Sequence, residues 1–242
     1  MKYLNFATRV LKEALLEFLI IIIDLSGSMD IKDWKPSRKA GAVKANKELI
    51  KVKAQNYPED KVAIVGFGSN AEVLREPVCL RDGTESLYKS LRNLPDMGST
   101  NFMAALELAE MLLFGKPFTN TRGLNSRSVV GFLSRLLYDQ KPTSHYIREN
   151  SPSENWLRRI IILSDGDYNE GGSPILTARR LKDAGVIIDC IGIGGEPDSV
   201  KETSLKEIAS RDPDGSIRYC FIGDQQELIK KYESLAHHIR PA

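Results

Sequence analysis

The chain has 242 residues, 42% of them apolar and 27% charged, enough to bury one sizeable core, and we expect a single domain over residues 1–242. Lysine and arginine (34) nearly balance aspartate and glutamate (32), and the basic residues are scattered through stretches such as TARRLKDAG and LIKKYESL. The electrostatic footprint of a nucleic-acid binder is therefore missing. Cys79, Cys190 and Cys220 are odd in number, far apart and form no metal-type pair, so they read as small buried hydrophobes in a reducing compartment.

Near the N-terminus, ALLEFLIIII resembles a signal-peptide core, but Glu17 interrupts it and no small-residue cleavage pattern follows. The apolar run is too short to span a bilayer. We read FLIIIID as a fully buried strand and expect an intracellular, cytoplasmic protein with no membrane partner. A helix follows from about Pro36 to Gln55, with Pro36 suited to its first turn. KVAIVGFG is the next strand, and a second run near AEVLREPVCL offers one antiparallel member between Lys61 and Leu80.

RDGTESLYKSLRNL reads as a short helix. MGSTNFMAALELAEMLLFG is a longer one, beginning near Asn101, with Phe102, Ala105, Leu106, Ala109 and Leu112 on its core face. Gly115 to Arg158 breaks the alternation. It is rich in Asn, Ser and Pro, holds one short amphipathic helix around Val129 to Tyr138, and reads as a surface loop or a partner-binding insertion. Beyond it come the strand RRIIIL, the helix SPILTARRLKDAG closed by Gly185, the strand VIIDCIGIGG and the helix VKETSLKEIAS. The strand IRYCFIG and a closing helix with Leu228, Tyr232, Leu235 and Ile239 in a stripe complete the chain. Continuous aliphatic strands separated by helices predict a doubly wound α/β fold, its mostly parallel sheet covered on both faces.

In such sheets ligands bind outside the carboxyl ends of the strands, and polar clusters gather there. Asp24, Ser26 and Ser28 follow the first strand at alternate positions, so an extended exit points all three to one side. Asp165, in SDGD, follows RRIIIL in the same way, and Thr100, in GSTN, directly precedes a helix. Each alone has an ordinary explanation as a cap or a turn residue, Thr100 as an N-cap included. Their convergence on one end of one sheet does not.

These residues resemble the von Willebrand factor A domain, whose metal-ion-dependent adhesion site is written D-x-S-x-S, a distant Thr, and a distant Asp usually followed by Gly. The match is Asp24, Ser26 and Ser28 in DLSGS, Thr100 in GSTN and Asp165 in SDG. The resemblance covers the chain outside residues 115–158, a connection the family usually makes much shorter. It implies a divalent cation, and the donor set agrees: oxygen groups with no His or Cys suit Mg2+, with Mn2+ open, rather than zinc, while calcium prefers more carboxylates. Asp24 and Asp165 roughly balance a dication, and the hydroxyls add ligands without charge. Asp30, Asp33, Asp167, Tyr168, Asn169 and Glu170 border the site in sequence or serve as solvated loop residues.

An incomplete protein shell around Mg2+ leaves a position open, and in the family a partner's Asp or Glu takes it. The resemblance therefore implies a non-enzymatic, metal-dependent protein-interaction module, an adaptor beside AAA+ ATPases or within a multi-protein complex. A metal-dependent phosphoester hydrolase is the alternative, since the same cation could activate water. It lacks an evident general base: the chain has three histidines, His145, His237 and His238, none near the metal loops in sequence. There is no nucleophile elbow around Ser26 and no P-loop, and GIGG at Gly192 to Gly195 lacks the third glycine of a dinucleotide fingerprint. A third reading makes the metal a structural clip, with partners bound elsewhere.

Overall fold

Six consecutive aliphatic or aromatic residues, Phe18 to Ile23, can be buried only where both faces of a strand are covered. The computed structural model places them there; it describes residues 16–115, 156–166, 170–195, 200 and 202–237. Strand β1 (Glu17–Asp24) is buried along its whole length and lies between two parallel neighbours, β2 (Lys61–Phe67) and β4 (Leu157–Ser164). With β3 (Ala71–Cys79), β5 (Ile187–Ile193) and β6 (Tyr219–Ile222) the sheet runs β3-β2-β1-β4-β5-β6. The β2–β3 pair is antiparallel and places β3 at the edge, as the sequence predicts.

Alternation along β1 sends Phe18, Ile20 and Ile22 to one core and Leu19, Ile21 and Ile23 to the other. The first core is covered by α3 (Phe102–Phe114), α4 (Ile175–Asp183) and α5 (Glu202–Ile208). The second is covered by α1 (Arg38–Asn56), α2 (Leu80–Ser90) and α6 (Gln225–Leu235). The fold is the expected doubly wound α/β sheet. Gly185 follows the end of α4 with a φ of +80°, the left-handed turn that closes the helix.

Local expectations differ in places. Pro36 lies outside α1: Ser37 is the N-cap, its hydroxyl accepting from the Ala40 amide, so the helix starts after the proline. Asn101, not Thr100, caps α3, its side chain accepting from the Ala104 amide at 3.1 Å. The core face of α3 is wider than a stripe, because Glu107 and Glu110 are buried as well and Arg180 of α4 reaches Glu110 with two hydrogen bonds. The cysteines are free, but Cys190 alone is fully buried, Cys79 and Cys220 being half-buried. The helix expected around Val129 to Tyr138 lies outside the described residues, as do Ile239, Asp167, Tyr168 and Asn169.

Toward the amino ends of the strands, charged side chains are buried in mutual pairs. Lys53 of α1 sits 2.8 Å from Asp60 and 3.4 Å from Glu17. Arg159 of β4 donates to Asp189 at 2.7 Å and to the Leu235 carbonyl at the end of α6 at 2.8 Å. Arg218 approaches Asp189 from the other side at 3.3 Å. Glu17, Asp60 and Asp189 thus each have a cation opposite them, which their burial demands. Among the described residues no helix is long and apolar enough to cross a membrane.

Candidate metal centre

Chain order reverses between β1 and β4: β2 and β3 lie to one side of β1, β5 and β6 beyond β4. The carboxyl ends of these two strands form the switch point where a doubly wound sheet opens a crevice. Asp24 ends β1 and Asp165 follows β4, so both carboxylates stand at this crevice, and both are buried.

The loop after β1 folds back on Asp24. The Ser26 amide donates to Asp24 Oδ1 at 2.8 Å, and the hydroxyls of Ser26 and Ser28 are 3.0 Å apart, at the start of a short 3-10 helix (Gly27–Asp30). Ser26 is buried and Ser28 half-buried. The loop is tied to the segment before α3 in both directions: Met97 N donates to Leu25 O at 2.9 Å, and Gly27 N to Gly98 O at 3.0 Å.

That segment is in turn held by the β2–β3 turn, Asn101 N donating to Gly68 O at 2.8 Å. Glycine is required at position 68 because a Cβ there would lie 2.3 Å from the Met97 carbonyl oxygen. Thr100, buried between these anchors, accepts through its carbonyl from the Glu170 amide of the β4–α4 connection. Gly171 continues that connection with a φ of +84°, where a Cβ would come within 2.3 Å of the Asn101 side chain. Asn101 takes the capping role at α3, and the loops carrying Asp24, Ser26, Ser28, Thr100 and Asp165 are joined by hydrogen bonds at one sheet end.

Burial pushes the Asp24 carboxyl up to about 6, and the nearby Asp165 charge adds to the rise; hydrogen bonds from Ser164 and Ser26 oppose it. Asp165 Oδ1 is buried with no hydrogen-bond partner among the described residues. Two buried carboxylates in one crevice, one with an orphaned oxygen, are the electrostatic setting a hard dication relieves. The donor set therefore fits such an ion: Asp24 and Asp165 would supply charge, and Ser26, Ser28 and Thr100 neutral oxygens. Among the described residues no three His, Cys, Asp or Glu side chains gather into a metal-type group; the fit rests on hydroxyls beside two carboxylates.

Two further residues belong to this site. Ser164 donates to Asp24 Oδ2 at 2.5 Å and accepts from the Gly166 amide at 2.9 Å, fixing both the Asp24 carboxylate and the turn that carries Asp165. Its place directly before SDG's aspartate was the available signal. Arg38, in the first turn of α1, reaches Asp165 Oδ2 through Nη1 at 3.2 Å and forks onto Asp33, holding the Asp33 carboxyl below its ordinary range. No local pattern announces a contact across so long a separation. Of the bordering residues, Asp30 pairs with Lys39 at the surface at 2.9 Å, and Glu170 contributes its amide.

Known proteins place this architecture. Two family models, both described as von Willebrand factor type A domain, match residues 19–134 and 140–231, together most of the chain. No curated protein matches the sequence. Among solved structures, the conserved hypothetical protein BatB from Bacteroides thetaiotaomicron superposes with a TM-score of 0.59 at 19% identity, over 90% of this chain and 96% of that one. The VWA domain of SpRpn10 gives 0.55 at 19% identity, over 89% and 95%. Proximal thread matrix protein 1 from the mussel byssus, with a zinc-occupied MIDAS motif, gives 0.62 at 18% identity over 92% of this chain and 47% of that one, so this chain spans about half its length. The chain belongs to the von Willebrand factor type A domain family.

Proposed function

We propose that this domain is a non-enzymatic, metal-dependent protein-interaction module: Asp24, Ser26, Ser28, Thr100 and Asp165 hold Mg2+, or Mn2+, and a partner protein's Asp or Glu completes its coordination. The observation that carries this reading is the pair of buried carboxylates, Asp24 and Asp165, at the sheet's switch point, with Asp165 Oδ1 unpartnered among the described residues. The divalent metal at the corresponding motif of the mussel byssus protein supports it, although zinc occupies that site. Oxygen donors alone favour the harder Mg2+ here.

A protein partner accords with where two exposed apolar side chains fall in the chain. Among the described residues the exposed large hydrophobics are Ile31, just after the 3-10 helix, and Leu176, in the first turn of α4. Ile31 lies in the β1–α1 connection and Leu176 in the helix that follows β4, so each comes in the chain after one of the two strands that end at the crevice. The free cysteines suit a reducing compartment, and we place the module inside the cell as an adaptor in a larger complex, an AAA+ ATPase being one fitting partner.

Isothermal titration of Mg2+ and Mn2+ into chelator-treated protein, beside Asp24→Ala, tests the reading, with acetate or an acidic peptide added afterwards. Binding to the native chain, none to Asp24→Ala, and carboxylate binding only once metal is present is the expected outcome. Absence of metal binding at millimolar concentration would refute it. A metal-dependent release of p-nitrophenol from its phosphate ester would turn the assignment toward a hydrolase.

A further inference from the structure

Arg38 is tied to the crevice more heavily than a helix-start arginine requires. Its side chain is buried, and its fork is already filled by Asp33: Nε lies 3.0 Å from both Asp33 oxygens and Nη2 lies 2.5 Å from Oδ2. One buried cation needs one carboxylate, yet Nη1 also donates to Asp165 Oδ2 at 3.2 Å. The next residue, Lys39, turns away to Asp30 at the surface.

Arg38 is also held in place. The Trp34 amide donates to Asp33 Oδ1 at 2.9 Å, and the Trp34 indole donates to the Gly194 carbonyl beyond β5 at 3.3 Å. A Cβ at Gly195 would stand 3.1 Å from Asp33 Oδ2, so Asp33 packs directly on the β5 exit. The guanidinium therefore has no easy retreat when another cation arrives beside Asp165.

We propose that Arg38 is a resident counter-cation of the metal centre, stabilising Asp165 in the metal-free protein and opposing the metal that binds there. The inference rests on the metal reading above. It gives the site two alternative positive charges, one covalently part of the fold and one exchangeable, so metal affinity is set below what the oxygen donors alone would provide. A dication and a guanidinium sharing one carboxylate repel strongly enough, even with substantial screening, to change affinity by about tenfold or more. A merely structural arginine predicts the opposite sign, since its loss would loosen the loops and weaken metal binding.

The test is isothermal titration of Mg2+ into the chelator-treated full chain, native and with Arg38→Gln, Arg38→Lys and Asp33→Asn, paired with thermal unfolding in chelator and in saturating Mg2+. Arg38→Gln should bind Mg2+ about tenfold or more tightly, while Arg38→Lys, which keeps the charge, should stay within a few-fold of native. In chelator Arg38→Gln should melt below native, with the gap closing in saturating Mg2+. Asp33→Asn leaves Asp165 as the arginine's remaining carboxylate and should weaken Mg2+ binding, which keeps the proposal testable if Arg38→Gln fails to fold. Equal or weaker binding by folded Arg38→Gln, with metal binding by the native chain intact, overturns this inference alone. No binding by either native or Arg38→Gln overturns the metal reading and this inference with it. Binding by Arg38→Gln but not by native would support both.

Discussion

Arg159→Met removes the hub of the charges buried beneath the strands. The side chain is 1% exposed, donates to Asp189 at 2.7 Å and to the Leu235 carbonyl at 2.8 Å, and lies 3.9 Å from Glu17. Methionine fills comparable apolar volume but supplies no donor, so Asp189 keeps only Arg218 and the end of α6 loses a capping group. Breaking a buried pair by removing one partner costs about 3–5 kcal/mol, a large share of a typical domain's stability. For a chain of this size that corresponds to a fall in Tm of roughly 6–20 °C. Urea unfolding followed by circular dichroism measures it, with Arg81→Met as the control. The Arg81–Glu59 pair has both side chains well exposed, and its loss should change stability by less than about 1 kcal/mol. A loss below about 1 kcal/mol for Arg159→Met, or equal losses for the two variants, would refute the claim that burial makes this network matter.

Three further outcomes follow from the metal end. Thr100→Ala should abolish metal-dependent carboxylate binding while the variant still folds by circular dichroism, since the α3 cap rests on Asn101; unchanged binding by the folded variant would remove Thr100 from the site. The Asp24 carboxyl, pushed up to about 6 by burial, binds a proton that the metal must displace, so Mg2+ affinity should level off above that pH and fall about tenfold per unit below it; a flat titration series from pH 5 to 8, a range chosen to straddle the shifted value, would contradict this. Gly68→Ala drives a Cβ to 2.3 Å from a backbone oxygen, and should cost about 1–3 kcal/mol by urea unfolding and weaken metal binding as the Asn101–Gly68 contact gives way.

The central strands were legible because parallel strands covered on both faces must be apolar at every position, and β1 and β4 carry long aliphatic runs. The polar set after them was legible from its spacing, but not through the extended exit that spacing suggested: the chain turns into a 3-10 helix at Gly27, and Ser28 meets Ser26 across that turn. What stayed hidden depends on partners distant in the chain. Glu17 read as an interruption of an apolar run, and nothing in the sequence singled out Lys53 or Arg159, yet all three are buried through one another's charge. Ser164 and Arg38 join the candidate site through contacts that span 140 and 127 residues. The start of α1 moved past Pro36 because Ser37 offers the side-chain acceptor that the proline lacks.

The two ends of the sheet make opposite electrostatic arrangements from the same ingredients. At the amino end, Glu17, Asp60 and Asp189 face Lys53, Arg159 and Arg218, and the set is internally balanced. At the carboxyl end, Asp24 accepts hydrogen bonds from neutral serine groups, and Asp165 shares with Asp33 the guanidinium of Arg38. A fold that neutralises buried carboxylates thoroughly at one end and incompletely at the other has left a deficit of positive charge at its switch point. If that deficit were a packing accident, Asp24→Asn should stabilise the chain equally with and without Mg2+, since it removes an unfavourable buried charge. If the deficit exists to hold a cation, the same variant should be the more stable protein in chelator and the less stable one in saturating Mg2+, because only the native chain gains from the bound ion.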